Sequence, residues 1–358
     1  MWNWSSFGEG MFIRLIFSVF FILFINLSYA ATAIGHAPIG VSGDHYHKTN
    51  EKMLSIRYSS MQMKGNSLHG QSISDQEIIT SQVNPFASML GAPAYLSVVP
   101  KKMKMEMMMV GGMYASSDDL TYMGMLMFMK NKMTSNTYKG AMDRAYLGGF
   151  QTSLDDLSNF SFSVLYRLVE TNDNRWHLEL GIDKSIGKNN NQDLMLTPMN
   201  TYMRMTMPYS MQIDESTRLI SGLTNSRNLD SLVFGSQIKK YTVIEDKEWA
   251  FGDKLEISSW LQKAYDNSLS YSIRLLFTKE QNLSGSSSEI KSPVQSANPL
   301  NYGGNTLEFG LGVNKIFNFF EKEHIRLGIE YLFSLNNNKS GLQMKNDNKF
   351  IFGFQFSF

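Results

Sequence analysis

The chain has 358 residues, 13% aromatic and 18% charged. It is less charged than the roughly 25% usual for a soluble domain, yet too polar along its length for a bundle of membrane helices. Lysine plus arginine (33) nearly balances aspartate plus glutamate (32), and the net charge of +1 gives no electrostatic case for a nucleic-acid partner. The absence of cysteine excludes disulfides, thiolate metal sites and a cysteine nucleophile.

The chain opens with an export signal. In "MFIRLIFSVFFILFINLSYA", Arg14 precedes an apolar run from Leu15 to Leu27, and Ser28 and Ala30 are the small residues of a cleavage site after Ala30. The run falls short of the roughly 20 apolar residues that a membrane helix needs. Residues 1–30 are therefore expected to be removed as a signal peptide. Glu9 fits poorly in a basic leader, which makes Met11 an alternative start. No later run is long enough for a spanning helix, so the mature chain is periplasmic, secreted or a barrel.

Residues 31–52 form a short N-terminal segment ahead of the first strand, either hanging in the periplasm or folded into a barrel as a plug. Its "GHAPIGVSGDHYHK" brings His36, His45 and His47 close in sequence, and as neutral imidazoles they could hold a metal. The competing reading is a structured plug whose histidines and Asp44 satisfy one another's hydrogen bonds. Three histidines without a clear fourth ligand are a weak zinc signature.

From residue 53 to 358 the chain alternates with period two, so that successive side chains fall on opposite faces of a strand. In 159–168, Phe160, Phe162, Val164, Tyr166 and Leu168 oppose Ser161, Ser163 and Arg167. In 268–278, Leu269, Tyr271, Ile273, Leu275 and Phe277 oppose Ser270, Ser272 and Arg274. Segments 305–315 and 324–334 repeat the pattern, and 348–358 ends it with Phe350, Phe352, Phe354, Phe356 and Phe358 on one face. Weaker copies lie at 53–63, 103–114, 120–132, 175–185, 213–224, 231–242 and 254–265. Each is about the length a tilted strand needs to cross a bilayer. Twelve segments predict an all-β, transmembrane antiparallel β-barrel of about 12 strands.

The links support this. Short ones ("SSDD", "ETNDN", "YDN") alternate with long ones at 67–100, 133–157, 186–212 and 279–304, as periplasmic turns and extracellular loops do. A soluble sandwich gives its loops no reason to alternate in length. An open edge cannot be satisfied in lipid, so the phenylalanine-rich last strand must close on the first. Its terminal phenylalanine also matches the class of signal read by the barrel assembly machinery, a predicted partner alongside outer-membrane lipid.

Methionine is the most unusual component, with 25 residues in clusters. Met103, Met105, Met107, Met109 and Met113 share one face of the second strand, and Met123, Met125, Met127 and Met129 one face of the third. Tyr122, Leu126 and Phe128 take the opposite, lipid-facing side of the third strand, so its methionines point into the lumen. Neighbouring strands lie about 4.8 Å apart. The rows should merge into one thioether surface, extended by Met61 and Met63. Such a surface could bind Cu(I), line a route for apolar solutes, or simply fill the interior. The candidate metal ligands are thus His36, His45, His47, Met103, Met105, Met107, Met109, Met123, Met125, Met127 and Met129, with copper the candidate ion.

Charges on the inward faces (Arg57, Arg167, Glu179, Asp183, Glu256, Arg274, Glu308, Arg326 and Glu330) mix signs, which predicts a salt-bridged interior rather than a single-sign selectivity ring. The strand histidines, His177 and His324, have no serine in a recognisable pairing, and no catalytic site is expected.

The segments "GHAPIGVSGDHYHK" (35–48), "LTPMN" (196–200), "MPYSMQ" (207–212) and "PVQSANPLNYGG" (293–304) resemble a family of exported Gram-negative outer-membrane "transporter" barrels near the phenol meta-degradation pathway proteins. The resemblance implies an outer-membrane barrel without naming its solute. The expected function is passage of a small solute, an apolar compound or a metal ion, across the outer membrane. The alternative is a filled, non-conducting barrel with a structural or copper-sequestering role.

Overall fold

The computed structural model describes residues 32–141, 143–320 and 323–358 of the chain. The expected signal peptide, residues 1–30, lies outside them. Twelve long strands follow one another: β1 (Lys52–Leu68), β2 (Val98–Ala115), β3 (Leu120–Tyr138), β4 (Tyr146–Glu170), β5 (Asn174–Ser185) and β6 (Thr217–Leu229). They continue with β7 (Leu232–Glu245), β8 (Lys254–Ala264), β9 (Leu269–Glu280), β10 (Gly304–Phe320), β11 (Glu323–Lys339) and β12 (Leu342–Ser357). Each pairs antiparallel with the next, and β12 returns to β1 over a register running from Met53↔Ser357 to Leu68↔Leu342. The sheet is a closed twelve-strand barrel. Its strands correspond one to one with the twelve alternating segments.

Alternation becomes inside and outside. Phe160, Phe162, Tyr166, Tyr271, Ile273 and Leu275 are exposed on the outer wall, while Ser161, Ser163, Ser270, Ser272 and Arg274 between them are buried. This is the inverse of a soluble protein, and it suits a wall with lipid outside. At the seam the Lys52 and Phe358 backbones exchange two 2.9 Å hydrogen bonds. The last ring is not lipid-exposed as the alternation alone suggests. Phe358 is covered, stacked on Phe356 at 5.2 Å between centroids, with Lys52 Nζ 5.9 Å from its centroid.

The links differ from expectation where strands outrun the membrane. β3 and β4 pair as far as Tyr138↔Tyr146, which reduces the predicted long link 133–157 to residues 139–145. Beyond the lipid a strand no longer needs apolar outer residues, so polar stretches continue the ladder without the alternating signal. The link 69–97 carries helix α1 (Asp75–Ser81), closed by a capping box in which Ser74 Oγ accepts from Glu77 N and Ser74 N donates to Glu77 Oε2. The link 186–216 holds a small ladder of Gln192–Leu196 with Tyr202–Thr206, then a turn at Tyr209–Met211. Tyr209 joins Trp249, Ile290, Val294 and Ala297 in a buried cluster, so the long links cover one end of the barrel. The short turns and the C-terminus lie at the other.

If the long links face outward from a cell, Cys-specific reagents should label Ser286→Cys on intact cells and Asn172→Cys only after the outer membrane is breached. No native cysteine competes. Labelling in the reverse order would overturn that orientation.

Candidate functional site

Residues 32–50 lie inside the barrel at the end carrying the short turns. They form no long element of their own, beyond a 3₁₀ turn at Ala33–Gly35, so their backbone polar groups must be met by the wall. The Ala33 carbonyl accepts from Gln262 Nε2 (2.9 Å) and Ser270 Oγ (3.0 Å) on β8 and β9. Ala37 O accepts from Asn314 and from Arg326 Nη2 on β10 and β11. Gly40 N donates to Glu330 Oε2 (3.0 Å), Val41 O accepts from Arg57 Nη1 (3.1 Å), and Ser42 O accepts from Gln237 and Lys239. His177 Nε2 meets Gly43 O at 2.9 Å, and His47 N donates to Thr121 Oγ1 at 3.0 Å. Six predicted inward positions thus hold this segment or pair with a group that does: Arg57, His177, Glu179 (through Lys239), Arg274, Arg326 and Glu330.

Shape reinforces the bonding. Ile39, 1% exposed, sits over Gly328 and Gly353, which face each other in the β11–β12 register. A Cβ on Gly328 would lie 2.6 Å from Ile39 Cβ, and one on Gly353 would meet the same side chain as closely. The two glycines are a socket. Beside it, Arg274 and Glu330 form a fully buried two-point ion pair at 2.7 and 3.0 Å, while Lys239 pairs with Glu179 at 2.6 Å. Gly43 adopts φ +66°, and a Cβ there would come within 2.8 Å of Glu179. Arg167 departs from the predicted interior set: it lies at the rim, paired with Asp119 and Glu170 at 2.7 Å each.

The three sequence-predicted histidines come together. His36 and His45 pack edge to face at 4.5 Å between centroids, and His45 and His47 at 4.9 Å. Asp44 makes this possible: Oδ2 accepts from Ala37 N and Oδ1 contacts His45 Nδ1, both at 2.9 Å. His47 Nδ1 reaches Glu51 Oε2 at 3.3 Å. Burial holds His36 well below the ordinary imidazole value, helped by His45 and Arg326, and burial likewise lowers His47 against the pull of Glu51. Burial alone would raise Asp44, but the charge and hydrogen bond of His45 take it well below the usual carboxylate range.

The methionine rows meet in register across β1, β2 and β3. Met63 faces Met103, which faces Met133; Met61 faces Met105. Met107 opposes Met129, Met109 opposes Met127, and Met113 opposes Met123, while Met125 stands against Gly111. The wall divides into three heights. Toward the long links, Met103, Met105 and Met129 pack against Met207, Met211, Ile213 and Met344. At the other end Met123 packs with Met53, Met113 and Leu165. Between them Met107, Met109, Met125 and Met127 are half-buried. The inward packing of Met207 and Met211 had no sequence signal, because their link carries no periodicity. Asp44 joins the two regions: it lines both a small cavity with Met53, Met113, Met123 and Met125 and a recess with His45, Tyr46 and His177.

The fold is that of outer-membrane β-barrels. An outer membrane channel of Pseudomonas putida F1 is similar at a TM-score of 0.54, with 11% identity over 89% of this chain and 100% of that one. A FadL homologue of Pseudomonas aeruginosa aligns over 92% of this chain and 98% of its own, with 9% identity and a TM-score of 0.39. No protein-family model and no curated protein matches the sequence.

Removing one partner of the Arg274–Glu330 pair should be far worse than removing both. Glu330→Leu leaves a buried guanidinium uncompensated and should cost about 3–5 kcal/mol, whereas Arg274→Met with Glu330→Leu should recover most of that. Urea midpoints of the folded, heat-modifiable form give the cycle. Equal losses in the single and double variants would sink the assignment.

Proposed function

We propose that this barrel lies in the outer membrane of a Gram-negative bacterium and passes a small apolar solute along the methionine wall of its lumen. The observation that carries the reading is the in-register thioether surface of β1–β3, whose middle rows lie between the covering links and the N-terminal segment. An aqueous pore would be lined with charge; here one side of the interior is flexible, polarizable and apolar, which suits solutes without hydrogen-bonding groups. The opposite side is occupied by ion pairs that hold residues 32–50 in place. The likeness of fold to an outer membrane channel supports the reading. Insertion would depend on lipid and on the barrel assembly machinery, with the terminal phenylalanine as its signal. We assign no catalytic role to His177, because its ring is committed to Gly43.

A second reading comes from the same rows: facing methionines at Met107–Met129, Met109–Met127 and Met113–Met123 offer soft donors for Cu(I), in a filled barrel that sequesters the ion. One set of variants separates the two. Replacing Met107, Met109, Met125 and Met127 by Leu keeps bulk and apolarity, at under about 1.5 kcal/mol per site. Proteoliposome uptake of a naphthyl probe should survive within about twofold, while the Gln set should lose about tenfold or more, since an unmatched buried amide costs about 1–3 kcal/mol. Unchanged uptake in the Gln set would refute passage along this wall. Loss of Cu(I) binding in the Leu set, with no uptake in any form, would favour sequestration.

The N-terminal segment sets the conductance. The intact barrel should carry little ionic current in planar bilayers. Gly328→Leu with Gly353→Leu fills the Ile39 socket and should displace residues 32–50, raising conductance in protein that remains heat-modifiable. An unaltered trace from folded variant would show that the segment does not close the lumen.

A further inference from the structure

Three buried imidazole nitrogens in the N-terminal segment have no hydrogen-bond partner among the described residues: His36 Nδ1, His45 Nε2 and His47 Nε2. Buried polar atoms are nearly always paired, and three orphans on adjoining rings are an anomaly that packing does not explain. Their other contacts make it more pointed. His45 and His47 each turn the opposite ring nitrogen to a carboxylate, Asp44 at 2.9 Å and Glu51 at 3.3 Å. A carboxylate on one nitrogen fixes the tautomer that leaves the other as a lone pair, and it raises that nitrogen's basicity. Donor atoms of His36, Asp44 and His45 lie within 4.8 Å of one another.

We propose that His36, Asp44 and His45 bind one divalent first-row transition ion, zinc or copper(II), with His47 packed against His45 beside them. The donor set selects this class. Imidazole suits zinc and copper(II), whereas magnesium and calcium require an oxygen shell that this cluster lacks. The nearest fixed cation, Arg326, is turned to Ala37 O, Asn314 and Gln355, and the carboxylate of Asp44 offsets the charge of the ion. The chain is folded for this purpose: a turn with Val41 N bonded to Pro38 O, followed by Gly43 at positive φ, brings residue 36 back beside residues 45–47. An ion there would join both arms of the segment into one unit. This site is distinct from the thioether rows, whose soft donors suit Cu(I).

The test uses the full mature barrel, purified without a histidine tag, with Zn2+ and Cu2+ titrated against a chromophoric chelator. One equivalent should bind, and the Cu2+ form should give an electron paramagnetic resonance spectrum with coupling to two imidazole nitrogens. His45→Ala should abolish both signals. Glu51→Gln, whose contact is with His47 alone, should bind as the parent does. The Leu set at Met107, Met109, Met125 and Met127 should bind as the parent does. The proposal fails if the parent binds no equivalent, if folded His45→Ala binds as tightly with the same spectrum, or if affinity follows the methionines. Probe uptake is read separately, so failure here leaves the solute reading standing on its own test.

Discussion

Every polar group carried into the interior of this barrel must find its partner there, and that demand organises the molecule. Lipid offers nothing to the outer wall, so the strands spend their backbone bonds on one another and close the ring. Twelve strands then enclose a space too wide for facing side chains to fill and narrow enough for a short segment to occupy. Residues 32–50 enter it with few bonds of their own. Carbonyls at Ala33, Ala37, Val41, Ser42 and Gly43 are each met by a side chain of the wall. The buried pair Arg274–Glu330 belongs to the same economy, because its carboxylate also takes the Gly40 amide. Such a pair adds little net stability over an apolar substitute, but it penalises any arrangement that leaves one half alone. It specifies where the segment docks more than how tightly the barrel holds.

That division gives the lumen two characters. Anchors come from β1, β3, β5 and β7 through to β11, at the end carrying the short turns. The methionine rows give none, since a thioether is a poor acceptor. They meet instead Met207, Met211 and Ile213 from the link 186–216, a contact of apolar surfaces without fixed direction. One boundary of the interior is therefore keyed by hydrogen bonds and the other by packing, and the second rearranges at lower cost.

All twelve strands were legible because lipid outside and polar groups inside force a strict alternation, and a one-residue slip would turn every side chain to the wrong side. The methionine register was legible for the same reason, once the four residues "SSDD" fixed the β2–β3 turn. Alternation fails where lipid ends, and so the paired stretch from Met133 to Tyr138 read as loop. Helix α1 was missed although Ser74 and Glu77 spelled its capping box; seven residues are too few for a helical period to emerge. The histidines were legible as residues and not as a cluster. What joins them is the path of an aperiodic segment, set by Asp44, by Gly43 and by glycines of strands some three hundred residues away.

Those distances in sequence bear on how the molecule is completed. Ile39 rests on Gly328 and Gly353 of β11 and β12, while two residues on, Val41 O bonds to Arg57 of β1. The segment thus spans the seam at which the last strand meets the first, and Gly40 touches both members of an ion pair formed between β9 and β11. The socket and the ion pair lie within β9–β12, and the Arg57 contact comes beside them only when β12 has paired with β1. Contacts of such range repay their loop-closure entropy only at the end. Docking of residues 32–50 is consequently a report on closure: a segment seated on the Ile39 socket reaches Arg57 only across a paired seam. The glycines that weaken two strands as isolated elements are retained where they let the seam be read from inside.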